Sequence, residues 1–125
     1  MFSHIIVGTN DLERARIFYD SLLATLGVAP AQMDDNRFFY LTPGGIFSVS
    51  RPINGQPATF ANGGTIGFVA SSPAVVEAWH AAGVAAGGTS CEDPPGVRES
   101  RLGQLYLAYL RDPDGNKLCA RHVMV

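Results

Sequence analysis

The chain has 125 residues, 46% of them hydrophobic and 16% charged, with a formal net charge of −2. This length suits one domain of ordinary size, and the lack of a basic surplus argues against binding to the phosphate backbone of nucleic acid. No N-terminal signal is present, and no apolar run reaches the roughly 20 residues needed to cross a bilayer. We therefore expect a cytoplasmic protein with neither a membrane nor a nucleic acid as partner.

The first predicted elements are a strand and a helix in HIIVGTNDLERA, residues 4 to 15. Asn10 and Glu13 have the spacing of a capping box, which predicts a helix from about Asp11 to Leu26. An apolar stripe at helical spacing indicates that this helix packs on the core, and Gly27 is well placed to end it.

Two strands joined by a turn are predicted next, in FFYLTPGGIFSVS at residues 38 to 50. The strand and helix pattern then recurs in TIGFVASSPAVV at residues 65 to 76, where Ser72 precedes a proline at the first helical position. We expect this second helix to run from Pro73 to about Ala82 and to stop at Gly83. Trp79 is expected to anchor it on a sheet.

The segment from Gly87 to Gln104 is polar and rich in glycine and proline. We expect a short strand around residues 89 to 92 and otherwise a loop, either a lid over a binding site or a mobile connection. The next segment, LYLAYLRDPDGNKLCARH at residues 105 to 122, has two strand-like runs around a turn. Proline presets φ, glycine accepts positive φ, and Asp and Asn side chains cap turns, so residues 112 to 116 predict a hairpin.

The two halves of the chain therefore repeat one order of elements: strand, helix, then strands ending in a hairpin. We predict an α+β fold of two paired βαβββ repeats within a single domain, residues 1 to 125. The first repeat covers residues 1 to 57, a linker covers 58 to 62, and the second repeat covers 63 to 125.

This arrangement resembles the vicinal oxygen chelate superfamily, which includes glyoxalases, bleomycin resistance proteins and extradiol dioxygenases. The resemblance lies in His4, in NDLERARIFYDSLLATLG at residues 10 to 27, and in RDPDGNKL at residues 111 to 118. It implies mixed sheets that form a half-open barrel around a cavity. It also implies a homodimer, since such sheets leave edges and one face open. It does not fix a reaction, because this fold has many functions.

Strand alternation assigns the side chains to two faces. Ile5, Val7, Ile66 and Phe68 should cover the helices, which leaves His4, Gly8 and Gly67 among the residues of the opposite face. That face collects small and polar groups, and it suits the wall of a cavity. The alternative is that a second copy or the other repeat fills it.

The metal positions of the family, carried over by the resemblance, are His4, Ser48, Thr65 and Cys119. Only His4 is a usual ligand there, so we expect no catalytic metal and no other cofactor. His4 is equally compatible with a strand histidine bonded to the backbone, and Cys119 with a small buried hydrophobe. Cys91 and Cys119 are expected to be reduced, because no secretion signal is present.

We interpret the chain as a glyoxalase- or bleomycin-resistance-like protein that binds a small organic molecule in a cavity, without catalytic metal. The alternatives are a lyase, isomerase or oxygenase of glyoxalase-like type acting on a vicinal-oxygen substrate, and an interaction module without a small ligand. Aromatic side chains should line the cavity, and the sequence does not fix the strand parity of the candidates, which are Phe38, Phe39, Tyr40, Tyr106 and Tyr109. The candidate ligand-binding residues are His4, Phe39, Ser48, Thr65, Tyr109, Cys119 and Arg121.

Overall fold

The computed structural model describes all 125 residues and contains two helices and nine strands. The first half of the chain forms β1 (His4–Gly8), α1 (Leu12–Ala24), β2 (Gln32–Asp34), β3 (Arg37–Thr42) and β4 (Gly45–Ser50). The second half forms β5 (Ile66–Val69), α2 (Pro73–Ala85), β6 (Thr89–Ser90), β7 (Gly96–Ser100), β8 (Gly103–Arg111) and β9 (Lys117–Val123).

The strands form two mixed sheets and no closed barrel, which confirms the predicted α+β class. The first sheet has the order β1-β4-β3-β2, with β1 parallel to β4 and the other pairs antiparallel. The second sheet has the order β5-β9-β8-β6, with β5 parallel to β9, and β7 also pairs with β8. In each sheet the strand before the helix thus pairs with the last strand of the same half.

Both helices pack on one side of the sheets, and a single hydrophobic core extends across both halves. Phe47 of the first sheet contacts Phe68 of the second edge to face, with ring centroids 5.4 Å apart. Ile5, Val7 and Ile66 also lie against this core, which confirms the predicted strand faces. Neither helix has the length and hydropathy that a membrane span needs.

Helix α1 begins one residue later than the capping pattern predicts. Its N-cap is Asp11, whose carboxylate accepts a hydrogen bond from the backbone N–H of Arg14 at 3.0 Å. Asn10, the predicted cap, instead accepts from the backbone N–H of Ala58 at 2.7 Å and donates to its carbonyl oxygen at 3.3 Å. The Asn10 side chain therefore fastens the segment between the sheets to the start of α1.

Helix α2 has the predicted cap but not the predicted end. The Ser72 hydroxyl accepts from the backbone N–H of Val75 at 3.1 Å. Gly83 lies inside the helix, and a Cβ atom there would be 2.4 Å from Leu110 Cδ2 and 3.0 Å from Leu22 Cδ1. Gly83 is thus a site of close packing, and the positive φ comes after the helix, at Gly87.

The segment 87 to 104 is more regular than its composition predicts. The strand expected at residues 89 to 92 is present only as the two residues of β6. Residues 96 to 100, which were expected to be a loop, form β7 and pair antiparallel with residues 103 to 107 of β8. Ser100 Oγ donates to the carbonyl oxygen of Gly103 at 2.7 Å, and Gly103 has a positive φ, so the two strands meet in a tight turn. Residues 96 to 100 of this segment are therefore an outer strand of the second sheet.

The predicted hairpin between β8 and β9 is confirmed. Asp112 N–H donates to Asn116 O at 2.9 Å, Gly115 N–H donates to Asp112 O at 2.9 Å, and Gly115 adopts a φ of 92°. The Asp112 carboxylate also accepts from the backbone N–H groups of Asp114 and Asn116. Asp and Asn thus cap the turn as the sequence indicates.

Candidate binding face

The side of both sheets that faces away from the helices carries most of the predicted ligand-binding residues, and we call it the open face. In the first sheet it comprises His4, Ile6, Gly8, Arg37, Phe39, Leu41, Ile46, Ser48 and Ser50. In the second sheet it comprises Gly67, Val69, Arg98, Leu105, Leu107, Tyr109, Arg111, Lys117, Cys119 and Arg121. Thr65 lies just before β5, at the edge of this face.

The polar groups of the first sheet are occupied by local hydrogen bonds. Ser48 is only 5% exposed, and its hydroxyl donates to the carbonyl oxygen of Phe38 at 2.9 Å. His4 is exposed, and its Nδ1 lies 2.8 Å from Ser3 Oγ. Of these groups, His4 is the one accessible to a ligand.

The second sheet brings together Tyr109, Cys119 and Arg121. Tyr109 is the register partner of Cys119 on the neighbouring strand, and Arg121 lies two residues along β9 on the same face. Cys119 is 5% exposed and packs with Leu105 and Leu107 in a small apolar cluster that Tyr109 borders. Burial raises the pKa of the Cys119 thiol, and the neighbouring Tyr109, Arg121 and Lys117 oppose this shift only in part. Cys119 is therefore a neutral thiol at pH 7.

The aromatic candidates separate by strand parity. Phe39 and Tyr109 lie on the open face, half-buried. Phe38 and Tyr40 are in the core, with ring centroids 5.8 Å apart, and Tyr106 lies on the helix side, where its hydroxyl donates to Glu77 at 2.6 Å. Packing in the core decides which of these aromatic side chains point inward. The composition of the strands does not predict it, because aromatic residues occupy both faces.

Glycine shapes the two sheets differently. A Cβ at Gly8 would lie 3.0 Å from the Cβ of Ala58, so the connecting segment already covers that position. No heavy atom lies within 4 Å of a Cβ placed on Gly67, the register partner of Cys119. Gly67 therefore leaves open space on this face, whereas Gly8 lies closely against Ala58.

Lys117 and Glu92 lie beside the candidate residues and were not among the predicted ones. They form an ion pair, and the Lys117 ammonium lies over the Tyr109 ring at 5.1 Å from its centroid. The signal for Lys117 was its alternation with Cys119 along the strand. Glu92 has no such signal, because it comes from a turn whose backbone φ is positive.

The four positions that the resemblance assigns to metal do not form a suitable donor set. Ser48 already donates to a carbonyl, and the Cys119 thiol is held protonated, although only the thiolate is a good ligand. The structure has no group of three or more His, Cys, Asp or Glu side chains placed to hold a metal ion. The residues present do not fit a catalytic divalent metal.

The remaining histidines and Cys91 lie away from this set. His122 Nδ1 is 3.0 Å from the carbonyl oxygen of Ala70, and His80 Nε2 is 2.9 Å from Ser90 Oγ. Burial lowers the pKa of His80. Both cysteines are free, and Cys91 N–H donates to Tyr109 O, so β8 separates Cys91 from Cys119.

Two clefts of the single chain are lined mostly by residues other than the predicted ones. The larger, about 1060 Å³, lies at the end of the first sheet, between residues 34 to 37 and residues 50 to 57. None of the seven candidates lines it. The smaller, about 320 Å³, lies between β1 and β5, and Thr65 and Lys117 contribute to it. The open-face residues Ile6, Gly8, Arg37 and Ser50 of the first sheet thus line the larger cleft. Neither of these two clefts extends over Tyr109, Cys119 and Arg121, so a cavity over that part of the open face requires a cover.

The comparisons with known proteins agree with this architecture. A crystal structure from Albidiferax ferrireducens T118, described as a glyoxalase/bleomycin resistance protein, is 59% identical, with a TM-score of 0.97 over 98% of this chain and 99% of that one. A glyoxalase/bleomycin resistance protein/dioxygenase family enzyme from Burkholderia phytofirmans PsJN is 16% identical, with a TM-score of 0.74 over 98% of both chains.

A lactoylglutathione lyase from Agrobacterium tumefaciens is 20% identical, with a TM-score of 0.66 over 97% of this chain and 92% of that one. At such low identity these last two likenesses show the fold alone. No curated protein matches the chain. The family model for the Glyoxalase/Bleomycin resistance protein/Dioxygenase superfamily matches residues 1 to 120, and the chain therefore belongs to this superfamily.

Proposed function

We propose that this protein binds a small organic molecule on the open face of its sheets, without a catalytic metal. The observation that carries the proposal is the open space at Gly67, beside the neutral thiol of Cys119 and the half-buried ring of Tyr109. An apolar floor with a few polar groups around it is the usual composition of a small-molecule site.

The seven proposed contact residues have unequal parts in this site. Tyr109 supplies a ring for stacking, Cys119 supplies apolar surface, and Arg121 supplies a charged donor group. Thr65, His4 and Phe39 lie towards the first sheet and are proposed to orient the far end of the ligand. Ser48 is proposed to contact the ligand only through its hydroxyl oxygen, since its proton is already donated to Phe38.

A second copy of the chain is proposed to cover the open face. Large apolar side chains on it remain exposed, including Ile6 at 48% and Val69 at 86%. Exposed apolar surface of this kind indicates an interface, and isologous pairing is the commonest arrangement. Light scattering should give about twice the 13.3 kDa of the chain at micromolar concentration. A mass of one chain at all concentrations would contradict this part of the proposal.

The binding site is tested by filling the space at Gly67. A thermal-shift screen of small organic molecules should find compounds that raise the melting temperature of the wild type, because a ligand of the folded state stabilises it by mass action. Gly67→Leu should abolish these shifts and keep the fold. Gly44→Leu is the matched control, since a Cβ at Gly44 would meet only Thr42 Oγ1, at an ordinary contact distance of 3.8 Å, and Gly44 has no positive φ. Shifts that persist in Gly67→Leu would place the ligand elsewhere.

The absence of a catalytic metal is tested by elemental analysis of protein purified without chelator. We expect no stoichiometric zinc, nickel, manganese or iron, and His4→Ala should change the metal content by nothing while weakening binding by about 0.5 to 1.5 kcal/mol, the scale of one hydrogen bond. About one tightly held metal per chain, lost together with a glyoxalase-like activity in the mutant, would instead establish the enzymatic alternative.

A further inference from the structure

The charges on the open face are concentrated in the second sheet and are mostly positive. Arg98, Lys117 and Arg121 surround the apolar cluster of Leu105, Leu107 and Cys119. The one carboxylate in contact with these cations is that of Glu92, which pairs with Lys117. This part of the surface thus has a local excess of positive charge in a protein whose net charge is −2.

Of these three cations, Arg121 is the one whose side chain has no protein partner. It is exposed, takes part in none of the ion pairs of the structure, and has no side-chain hydrogen bond. By contrast, Arg98 donates to the carbonyl oxygen of Pro94 at 2.8 Å. An arginine fork that is free of internal partners is available for a bidentate bond to an oxyanion.

The neighbours of Arg121 determine what such an anion must be attached to. Its register partners are Leu107 on β8 and Val69 on β5, and two residues away lies Cys119 beside the open space at Gly67. A small inorganic anion would leave this apolar surface uncovered. An apolar or aromatic body of a few rings would cover it while its acidic group reaches Arg121.

We propose that the ligand of the open face is an organic anion, in which a carboxylate, phosphonate or sulfonate is joined to an apolar body. The acidic group binds Arg121, and the body lies on Tyr109, Cys119 and the space at Gly67. This inference rests on the proposed function, since it names the ligand class of the same site. A cationic ligand is disfavoured by the same charges.

Two fluorescent probes with the same ring system separate the acidic group from the body. Anilinonaphthalene sulfonate carries a sulfonate, and N-phenyl-naphthylamine does not. We expect the wild type to bind the sulfonate at least about tenfold more tightly, as one charge-assisted hydrogen-bonded contact provides. Raising sodium chloride from about 0.05 to about 0.5 M should weaken binding of the sulfonate probe and leave binding of the neutral probe unchanged.

Variants of Arg121 assign the charge effect to one residue. Arg121→Gln should weaken sulfonate binding about tenfold and change binding of the neutral probe less than about twofold. Arg121→Lys should recover part of the loss, and Arg101→Gln, an exposed arginine of the β7–β8 turn, should behave as wild type. Gly67→Leu should weaken both probes, which places them on this face.

The outcomes distinguish this inference from the proposed function. If both probes bind equally and Arg121→Gln changes neither, the anion inference is wrong and the binding function stands. If neither probe binds the wild type, or if Gly67→Leu leaves both titrations unchanged, the inference is wrong and the binding face itself is contradicted.

Discussion

The hairpin between β3 and β4 and the hairpin between β8 and β9 close the two sheets at equivalent places, but their contacts differ. In the first hairpin Thr42 Oγ1 donates to the carbonyl oxygen of Gly45 at 2.8 Å, and the turn residues are largely exposed. In the second hairpin Asp114 accepts from Thr9 Oγ1 at 2.6 Å, from Asn10 N–H at 2.9 Å and from Arg14 Nη2 at 2.9 Å. One hairpin is a turn, and the other joins the two halves of the chain.

The parts of the open face that belong to the two sheets also differ in how many of their groups have internal contacts. On the first sheet Ala58 covers Gly8, and the Ser48 hydroxyl donates its hydrogen bond to a backbone carbonyl oxygen. On the second sheet Gly67 is uncovered and Arg121 is unpaired. Equivalent positions of the two sheets thus differ in their contacts, since Gly8 and Ser48 of the first sheet have internal partners while Gly67 and Arg121 of the second sheet do not.

The largest expected effect comes from the buried carboxylate of the second hairpin. Asp112 accepts from Tyr19 OH and Asn116 Nδ2 as well as from the turn. Asp112→Ala should lower the free energy of unfolding by about 3 kcal/mol, since several buried donors lose their acceptor. Thr42→Ala, the control in the first hairpin, should cost less than about 1 kcal/mol. Urea unfolding of both variants measures the difference, and equal losses would contradict the comparison.

The two cysteines should differ next most. Cys119 is buried and its pKa is raised, whereas Cys91 is half-buried at the end of β6. Because the thiolate is the reactive form, we expect iodoacetamide to modify Cys91 at least about tenfold faster at pH 7.5. Mass spectrometry of timed samples, with Cys91→Ser and Cys119→Ser proteins as references, gives both rates. Faster modification of Cys119 would show an activated thiol and contradict its role as apolar surface.

The glycines offer a smaller and opposite pair of effects. Gly8→Ala should destabilise the protein by about 1 kcal/mol, because the new Cβ displaces Ala58. Gly67→Ala should stabilise it by about 0.5 kcal/mol, since alanine loses less backbone entropy in a strand and meets no atom. Thermal unfolding of both proteins checks the signs. A loss of stability in Gly67→Ala would mean that the space on the second sheet is not open.

The smallest effect is a pH dependence at Asp112. Burial raises the pKa of this carboxyl, and the hydrogen bonds from Tyr19 and Asn116 oppose the shift only in part. The folded protein then binds this proton at a higher pH than the unfolded chain does, so the contribution of Asp112 to stability grows as the pH falls. The unfolding free energy of the wild type minus that of Asp112→Asn should therefore increase as the pH is lowered from 7 to 4.5. A decrease would mean that the buried carboxylate is favoured as the ion.

Local sequence signals predicted the elements whose causes are local. The Ser72 cap and the turn at residues 112 to 116 follow from side chains that bond their own backbone. The prediction that Gly83 ends α2 is wrong because this glycine is required by close packing against a distant side chain, Leu110. Strand β7 was not predicted because its hydrogen bonds come from a partner strand, β8. The same limit applies to Phe38 and Phe39, because contacts with distant parts of the chain decide which of the two side chains points into the core.

The candidate site was predictable to the extent that strand alternation determines it. Cys119, Arg121 and Gly67 follow from parity along two strands, whereas the covering of Gly8 by Ala58 depends on the path of a connecting segment. The repeat boundaries 1 to 57 and 63 to 125 with the linker 58 to 62, the role of the seven site residues and the cytoplasmic location stay predictions.

The long-range bonds of Asp114 also constrain how the chain reaches its folded form. Thr9 and Asp114 are 105 positions apart, so the last hairpin is synthesised long after helix α1. Until then Thr9, Asn10 and Arg14 lack their acceptor and the hydroxyl of Tyr19 lacks Asp112. A nascent chain on the ribosome thus carries a first half whose start still lacks these contacts, and they form only after the second hairpin has been synthesised.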